Sequence, residues 1–315
     1  MPDLSNTPTL PIPSGLGRPQ SSKRAASDSR KSQKQAAVKP KRDMLSVFLR
    51  AITYLAAFLG FSIMALLVLY ILIKGVPYLS GSLFAWTYTT DNLSMIPALV
   101  NTVLVVLATL ALSIPLGIGA AIYLQEYAKK NSRFVRLVSI MAQTLAGIPS
   151  IVYGLFGLLF FVGSLQLGLS LISGILTLTI MVLPLIMQTA QEALEEIPDS
   201  MREASFALGA GKLRTVFSVL LPQAAPGIFA GILLATGRII GESAALIFTS
   251  GTIAKAAFNL LDPGATLSVH MYKLLNEGLY MDQAGAVAVV LLGLTLLINL
   301  CQSQICKRMM KRAGS

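Results

Sequence analysis

The chain has 315 residues, of which 54% are hydrophobic and only 12% charged, with a mean hydropathy of +0.71. A soluble domain carries about a quarter charged residues, so the composition excludes an ordinary water-soluble enzyme and marks a membrane protein. The net charge of +11 is concentrated, with ten of the 25 Lys and Arg in residues 1–50, and no aromatic-interleaved basic surface points to nucleic acid as a partner. Cys301 and Cys306 lie together near one terminus and His270 is the single histidine. Neither a disulfide framework nor a metal cluster is expected, and no cofactor is assigned to the chain.

Residues 1–43 are rich in Ser, Pro and Lys/Arg and lack aromatics, which predicts a disordered basic tail. Ser and Arg enrichment also fits a transit peptide, but amphipathicity is weak and Asp3 and Asp28 are present. Six apolar runs follow, near 45–73, 97–124, 134–162, 167–189, 223–249 and 284–300. Each can cross a hydrocarbon core of about 30 Å, which takes roughly 20 helical residues. Only helices satisfy the backbone within such runs, so an all-α membrane protein with six transmembrane helices is predicted.

The N-terminal tail, "QEYAKKNSRFVR" and "CKRMMKRAGS" are positive and fall on one side if the runs alternate, which predicts cytoplasmic N- and C-termini. The other side receives 74–95, "GSLQLG" and 252–283, the last with His270 and expected to be a surface loop. The organisation is then a tail at 1–43, a first helix and external loop at 44–96, a core at 97–300 and a basic tail at 301–315.

One loop on the positive side, 190–222, carries more acidic than basic groups and is long enough for structure of its own. Pro198 and Asp199 suit a helix start, helix formers run from Met201 to Leu208, and "GAG" suits a stop before a second amphipathic piece, Leu213 to Leu221. On periodicity alone this is a surface hairpin of two short helices.

The residues of that hairpin, "EASFALGAGKLRTVFSVLLP", resemble the EAA loop of ABC-importer permeases: Glu203, Ala204, Ser205, then Gly209, Val219, Leu221 and Pro222 at the family's spacing. Ser205 stands where the family has Ala, and Val219 where Ile is common. The resemblance implies the type I ABC-importer permease fold, with Arg202 and Glu203 on a coupling helix that docks on a dimer of cytoplasmic ATP-binding subunits. The chain has no GxxxxGK[ST] loop, so ATP and Mg are expected in that partner and the chain itself is not an enzyme. Gly209 suits a left-handed turn between the helices. "NTVLVVLATLALSIPLGIGAAIYLQEYAKK", "LAGIPSIVYGLFGLLFFV" and "GRIIGESAALIFTSG" are similar to stretches of PstA-type permeases of the bacterial phosphate importer, and less so to the PstC-type sister. Ser243 and Ala245 depart from the "GETAPL" version of the last stretch. The resemblance implies an inner-membrane subunit forming the phosphate path beside a PstC-like permease, served by an external phosphate-binding protein.

Pro115, Pro149 and Pro184 each fall inside an apolar run and mark kinks or hinges. Gly154 and Gly157, and the pair Gly117 and Gly119, suit close helix packing. Arg238 and Glu242 lie in an apolar run, where each charge costs about 2.5 to 3.5 kcal/mol at the bilayer centre. Four-residue spacing on one helix predicts a shared face and leaves two readings: a self-neutralising pair, or a lining of the translocation path. In the second, the guanidinium fork matches phosphate oxygens, Glu242 compensates it between passages, Gly237 and Gly241 permit close approach, and Ser243 and Thr249 add hydroxyls. Two other classes compete: an ion-driven secondary transporter using Arg238, Glu242 and Glu126 as a relay, and a scaffold whose basic tail holds anionic membrane lipids.

Overall fold

A computed structural model describes residues 44–313 except 90, 91, 130, 131, 258 and 279. The expected tail at 1–43 lies outside the described residues. The described chain is helical, with no strand among the described residues. Helix α1, Met44–Gly75, is one run of 32 residues whose side chains from 46 to 74 are exposed or half-buried. Such all-round apolarity suits a helix facing lipid or other subunits.

Residues 66–315 form a compact unit by themselves. Its helices are α2 (Ile96–Ile122, closed by a π turn at Tyr123–Tyr127), α3 (Arg133–Ala146), α4 (Ser150–Gly157, extended by a π segment to Ser164) and α5 (Leu171–Glu195). Next come α6 (Asp199–Ala207), α7 (Lys212–Thr215), α8 (Leu221–Gly241) and α9 (Ala244–Thr249). Last are α10 (Leu267–Glu277) and α11 (Met281–Ala313), so most of the segment expected as a C-terminal tail continues the last helix.

Among the described residues five helices are long and apolar enough to cross a membrane, six if a bent pair counts as one span. That pair corrects the run 134–162, which is two helices, α3 and α4, meeting at 101°. Pro149 is the cause: it sits at the N-cap of α4 with extended geometry, and proline pushes the residue before it out of the helical region. The open backbone at the bend is closed by Tyr153, whose hydroxyl donates to the Leu145 carbonyl at 2.8 Å. Pro115 and Pro184, by contrast, stay inside α2 and α5.

Helix α5 is the centre of the unit, burying Leu171, Leu178, Met181, Ile186 and Leu194. In its first half the polar residues are small, and Thr177 and Thr179 return their hydroxyls to carbonyls one turn back. A Cβ on Gly231 would overlap the Thr189 side chain, and one on Gly227 would come within 2.6 Å of the Ala193 Cβ. These contacts set α8 antiparallel to α5, with 227 against 193 and 231 against 189. The same register carries Arg238 to the level of Val182, midway along α5.

The segment 252–283 is corrected from a surface loop to a packed end of the bundle. Within it α10 buries Leu267, Val269, His270 and Leu274. The His270 ring is fully buried, lies edge-on to Tyr88 with centroids 5.7 Å apart, and makes no hydrogen bond of good geometry through either nitrogen. Burial is the main cause that holds its pKa below the ordinary 6.5, with Lys273 adding to it and the Leu93 backbone and Glu277 opposing. A histidine buried neutral must acquire its proton on unfolding, so its contribution is full above pH 6.5 and falls as pH drops toward the folded pKa. Thermal melts of the solubilised protein between pH 7.5 and 5.5 are expected to show a loss of Tm that is smaller in His270→Gln. Equal slopes in the two proteins would contradict this.

Candidate functional site

The acidic loop folds around Arg202. Its guanidinium bonds the Glu126 carboxylate through Nη2 at 2.8 Å and Nε at 3.1 Å. Two further bonds reach the Leu194 carbonyl at 2.9 Å and the Ile197 carbonyl at 2.7 Å, and Asp199 lies 3.2 Å from Nη1. Arg202 and Glu126 are 12% and 7% exposed, so this is a largely buried, fully hydrogen-bonded pair. It ties α6 to the carbonyl end of α5 and to the π turn that closes α2. Glu126, read from sequence as part of a charge relay, is held instead in this clamp.

The second piece of the loop is not a separate short helix. Residues 212–241 form one helical run of 30 residues, so Leu213–Leu221 is the foot of a spanning helix. A π turn at Val216–Leu220 precedes Pro222, whose ring and missing N–H displace the regular ladder there. Gly209 links α6 to this foot with φ +82°, a left-handed conformation that costs other residues about 1–2 kcal/mol. Ser205 is buried and its hydroxyl meets that of Thr215 at 2.9 Å, joining α6 to α7. Glu203, Ala204, Phe206, Leu208 and Leu213 are exposed, and Leu208 is 90% exposed. Leu221 is half-buried and Pro222 exposed at the base.

The charges of the fifth run are separated by the fold. Helix α8 ends at Gly241, and Glu242 leaves it in an extended conformation. The expected shared face and Arg238–Glu242 ion pair are therefore absent. Glu242 is only 8% exposed, and its Oε1 accepts from the Ala245 N–H at 3.1 Å, at the start of α9. Its carbonyl accepts from the Ser268 hydroxyl at 2.6 Å, fastening the break to α10. Arg238, half-buried, makes no ion pair or hydrogen bond with any described residue and lies within Coulombic reach of Tyr153 beside the α3–α4 bend.

The remaining residues divide. Gly154 packs against Ala245, where a methyl in place of the glycine hydrogen would come within 2.7 Å of the Ala245 Cα, so the two broken spans meet there. Gly237 and Gly241 have open space where a Cβ would point, so neither is a tight packing contact within the described residues. Gly117 packs on Ile186, whereas Gly119 faces nothing within 4 Å. Ser243 is half-buried before α9. Thr249 is buried, donates to the Ala245 carbonyl at 2.8 Å and packs where Gly157 leaves room, so its hydroxyl is taken up by the helix. Tyr153 and Ser268, which close the two breaks, carried no local sequence signal.

Residues 113–310, more than half of the chain, match the family model described as "Binding-protein-dependent transport system inner membrane component". The chain belongs to this family. A probable ABC transporter permease protein of Bacillus subtilis (strain 168), YqgI, is 36% identical over 239 residues, covering 70% of this chain and 79% of its own length. The phosphate transport system permease protein PstA of Haemophilus influenzae is 30% identical with the same 70% and 79% coverage. Of the PstA homolog of Mycoplasma genitalium, 35% identical, the permease spans only 38% of the length. Among solved structures, a bacterial alginate ABC transporter gives a TM-score of 0.61 at 16% identity, covering 85% of this chain and 98% of its own. That likeness fixes the fold as that of an ABC-importer permease. The permease is an inner-membrane transport component rather than the catalytic subunit.

Two outcomes follow from the loop. Arg202→Ala leaves Glu126 buried without its cation and is expected to cost about 3 kcal/mol, read as a lower Tm. An unchanged melt would show that the clamp is dispensable. Gly209→Val is expected to destabilise the hairpin more than Gly209→Asn, because only conformation and no steric contact restricts the site; equal effects would argue against the left-handed turn.

Proposed function

We propose that this permease is the PstA-type subunit of an ATP-driven phosphate importer, with both termini cytoplasmic. In this reading it pairs with a PstC-like permease, a dimer of ATP-binding subunits that uses ATP and Mg, and an external phosphate-binding protein, within membrane lipids. The observation that carries it is Arg238. An arginine in mid-bundle with no partner among the described residues is costly unless it faces a cavity or an anion. It sits on a helix that starts at the foot of the coupling hairpin and runs unbroken to it.

The chemistry suits a transient oxyanion. The guanidinium fork offers parallel donors to phosphate oxygens, and the bare backbone at Gly237 and Gly241 leaves room beside it. Glu242 follows one turn later but is engaged with α9, so it limits the field of Arg238 without pairing with it. A path needs that weakness, since a deep site would trap the anion. Ser243 adds a hydroxyl next to the break, and Thr249 is left out of the path. At the other end the exposed Glu203, Phe206, Leu208 and Leu213 form the face offered to the ATP-binding subunit. A proton relay through Glu126 is disfavoured because its carboxylate is committed to Arg202.

In proteoliposomes holding the complete importer, Arg238→Gln is expected to abolish phosphate uptake while assembly and ATPase content stay at wild-type levels. Uptake near wild type would remove Arg238 from the path. Glu203→Lys is expected to lower both uptake and binding-protein-stimulated ATP turnover, and unchanged turnover would count against α6 as the coupling helix.

A further inference from the structure

We infer a second anion site at the end of the bundle away from α6, built from Lys255 and Lys273. A cavity of about 600 Å³ lies there, lined by Trp86, Thr87, Tyr88, Thr252 and the two lysines among others. Its size is in the range of natural ligand pockets. The surrounding segment 252–283 contains these two lysines and three carboxylates, Asp262, Glu277 and Asp282. Both lysines line the cavity and none of the carboxylates does. Among the described residues that line the cavity, the charged ones are therefore both cations.

The walls are held in place from below. Asn101, fully buried, donates to the Lys255 carbonyl at 2.8 Å and the Ala265 carbonyl at 3.0 Å, and accepts from the Ala257 N–H at 3.0 Å. One side chain thus fixes both sides of the loop that carries Lys255. Tyr88 is set between His270 at its edge and the Lys273 ammonium, 5.8 Å from the ring centroid. Lys273 is also 3.9 Å from Glu277, a loose and partly exposed contact that leaves much of its charge uncompensated. Lys255 makes no ion pair with a described residue and is exposed. His270 stays neutral in its apolar site, so the lysines alone supply the charge.

Two flexible ammonium groups beside the hydroxyls of Thr87 and Thr252 suit a small, doubly charged oxyanion held with its water. Lysine acts as a point charge without the geometric fork of arginine, so the site attracts and concentrates rather than selects. Resting on the phosphate-importer reading, this cavity is where an anion released outside is held before it reaches Arg238. The same chemistry could be met by an acidic side chain of an external binding protein, and the test separates the two sources.

The test is amine-reactive footprinting of the intact importer in nanodiscs at constant ionic strength, read by mass spectrometry. Millimolar inorganic phosphate alone is expected to slow labelling of Lys255 and Lys273 several-fold relative to chloride, with Lys212 unaffected. Protection by phosphate-free binding protein but not by phosphate would overturn the site in favour of a docking surface, and no protection in either arm would overturn it outright. Protection and uptake of a different oxyanion would sustain the site while removing the phosphate reading. Lys255→Gln with Lys273→Gln is expected to raise the KM for uptake about tenfold and leave the saturating rate within about twofold. The corresponding double Arg variant should restore the KM, and a KM unchanged in the Gln pair would overturn the proposal.

Discussion

A chain that lives in hydrocarbon has no water to satisfy its open backbone, and four places where helices break or end in this permease are each fastened by a particular polar side chain. Tyr153 caps the carbonyl exposed at the Pro149 bend, and Ser268 takes the Glu242 carbonyl where α8 stops. Arg202 gathers the last carbonyls around the end of α5, and Asn101 does the same for the 252–265 loop. These four residues fasten irregular backbone close to the charged residues Arg238, Glu242 and Glu126 and to the loop of Lys255. Ladder bonds hold the spans, but these few bonds hold the shape.

The two broken spans are placed against each other. Gly154 on α4 touches Ala245 on α9, and Gly157 leaves space for Thr249 and Thr177. Arg238 lies just before this junction, level with the middle of α5. Broken helices that meet at mid-depth provide backbone and charge in a region where continuous helices would offer only side chains.

Much of this was legible in the chain. Long apolar runs give spanning helices because nothing else satisfies their backbone, and the helix formers before "GAG" placed α6 and the left-handed turn at Gly209, though not the merging of the second piece into a spanning helix. Breaks inside apolar runs were less legible. Pro149 is visible as a residue, but whether a proline kinks a helix gently, as Pro115 and Pro184 are accommodated, or turns it by 101° depends on whether a partner such as Tyr153 can close the gap. Glu242 was hard to place outside its helix, since it lies in a run that is otherwise apolar on both sides of Gly241 and Ser243, and the N–H that its carboxylate accepts from, that of Ala245, is only three residues on. The helix in 252–283 was hidden for another reason. It is short, and two of its polar residues, Ser268 and His270, are buried with its first turn.

The run from Lys212 to Gly241 is about 45 Å long at 1.5 Å per residue, and its tightest contact with the centre of the bundle falls near its middle, where Gly227 and Gly231 leave Ala193 and Thr189 no slack. A rod held at that point behaves as a seesaw. The arm toward Lys212 is roughly 25 Å and the arm toward Arg238 roughly 14 Å, so any rocking of the rod about that contact would carry Arg238 in the opposite direction by about half as much. Small residues at the fulcrum thereby set the gearing between the two ends of the molecule, and a bulkier pair there would change how far the guanidinium travels without touching either site.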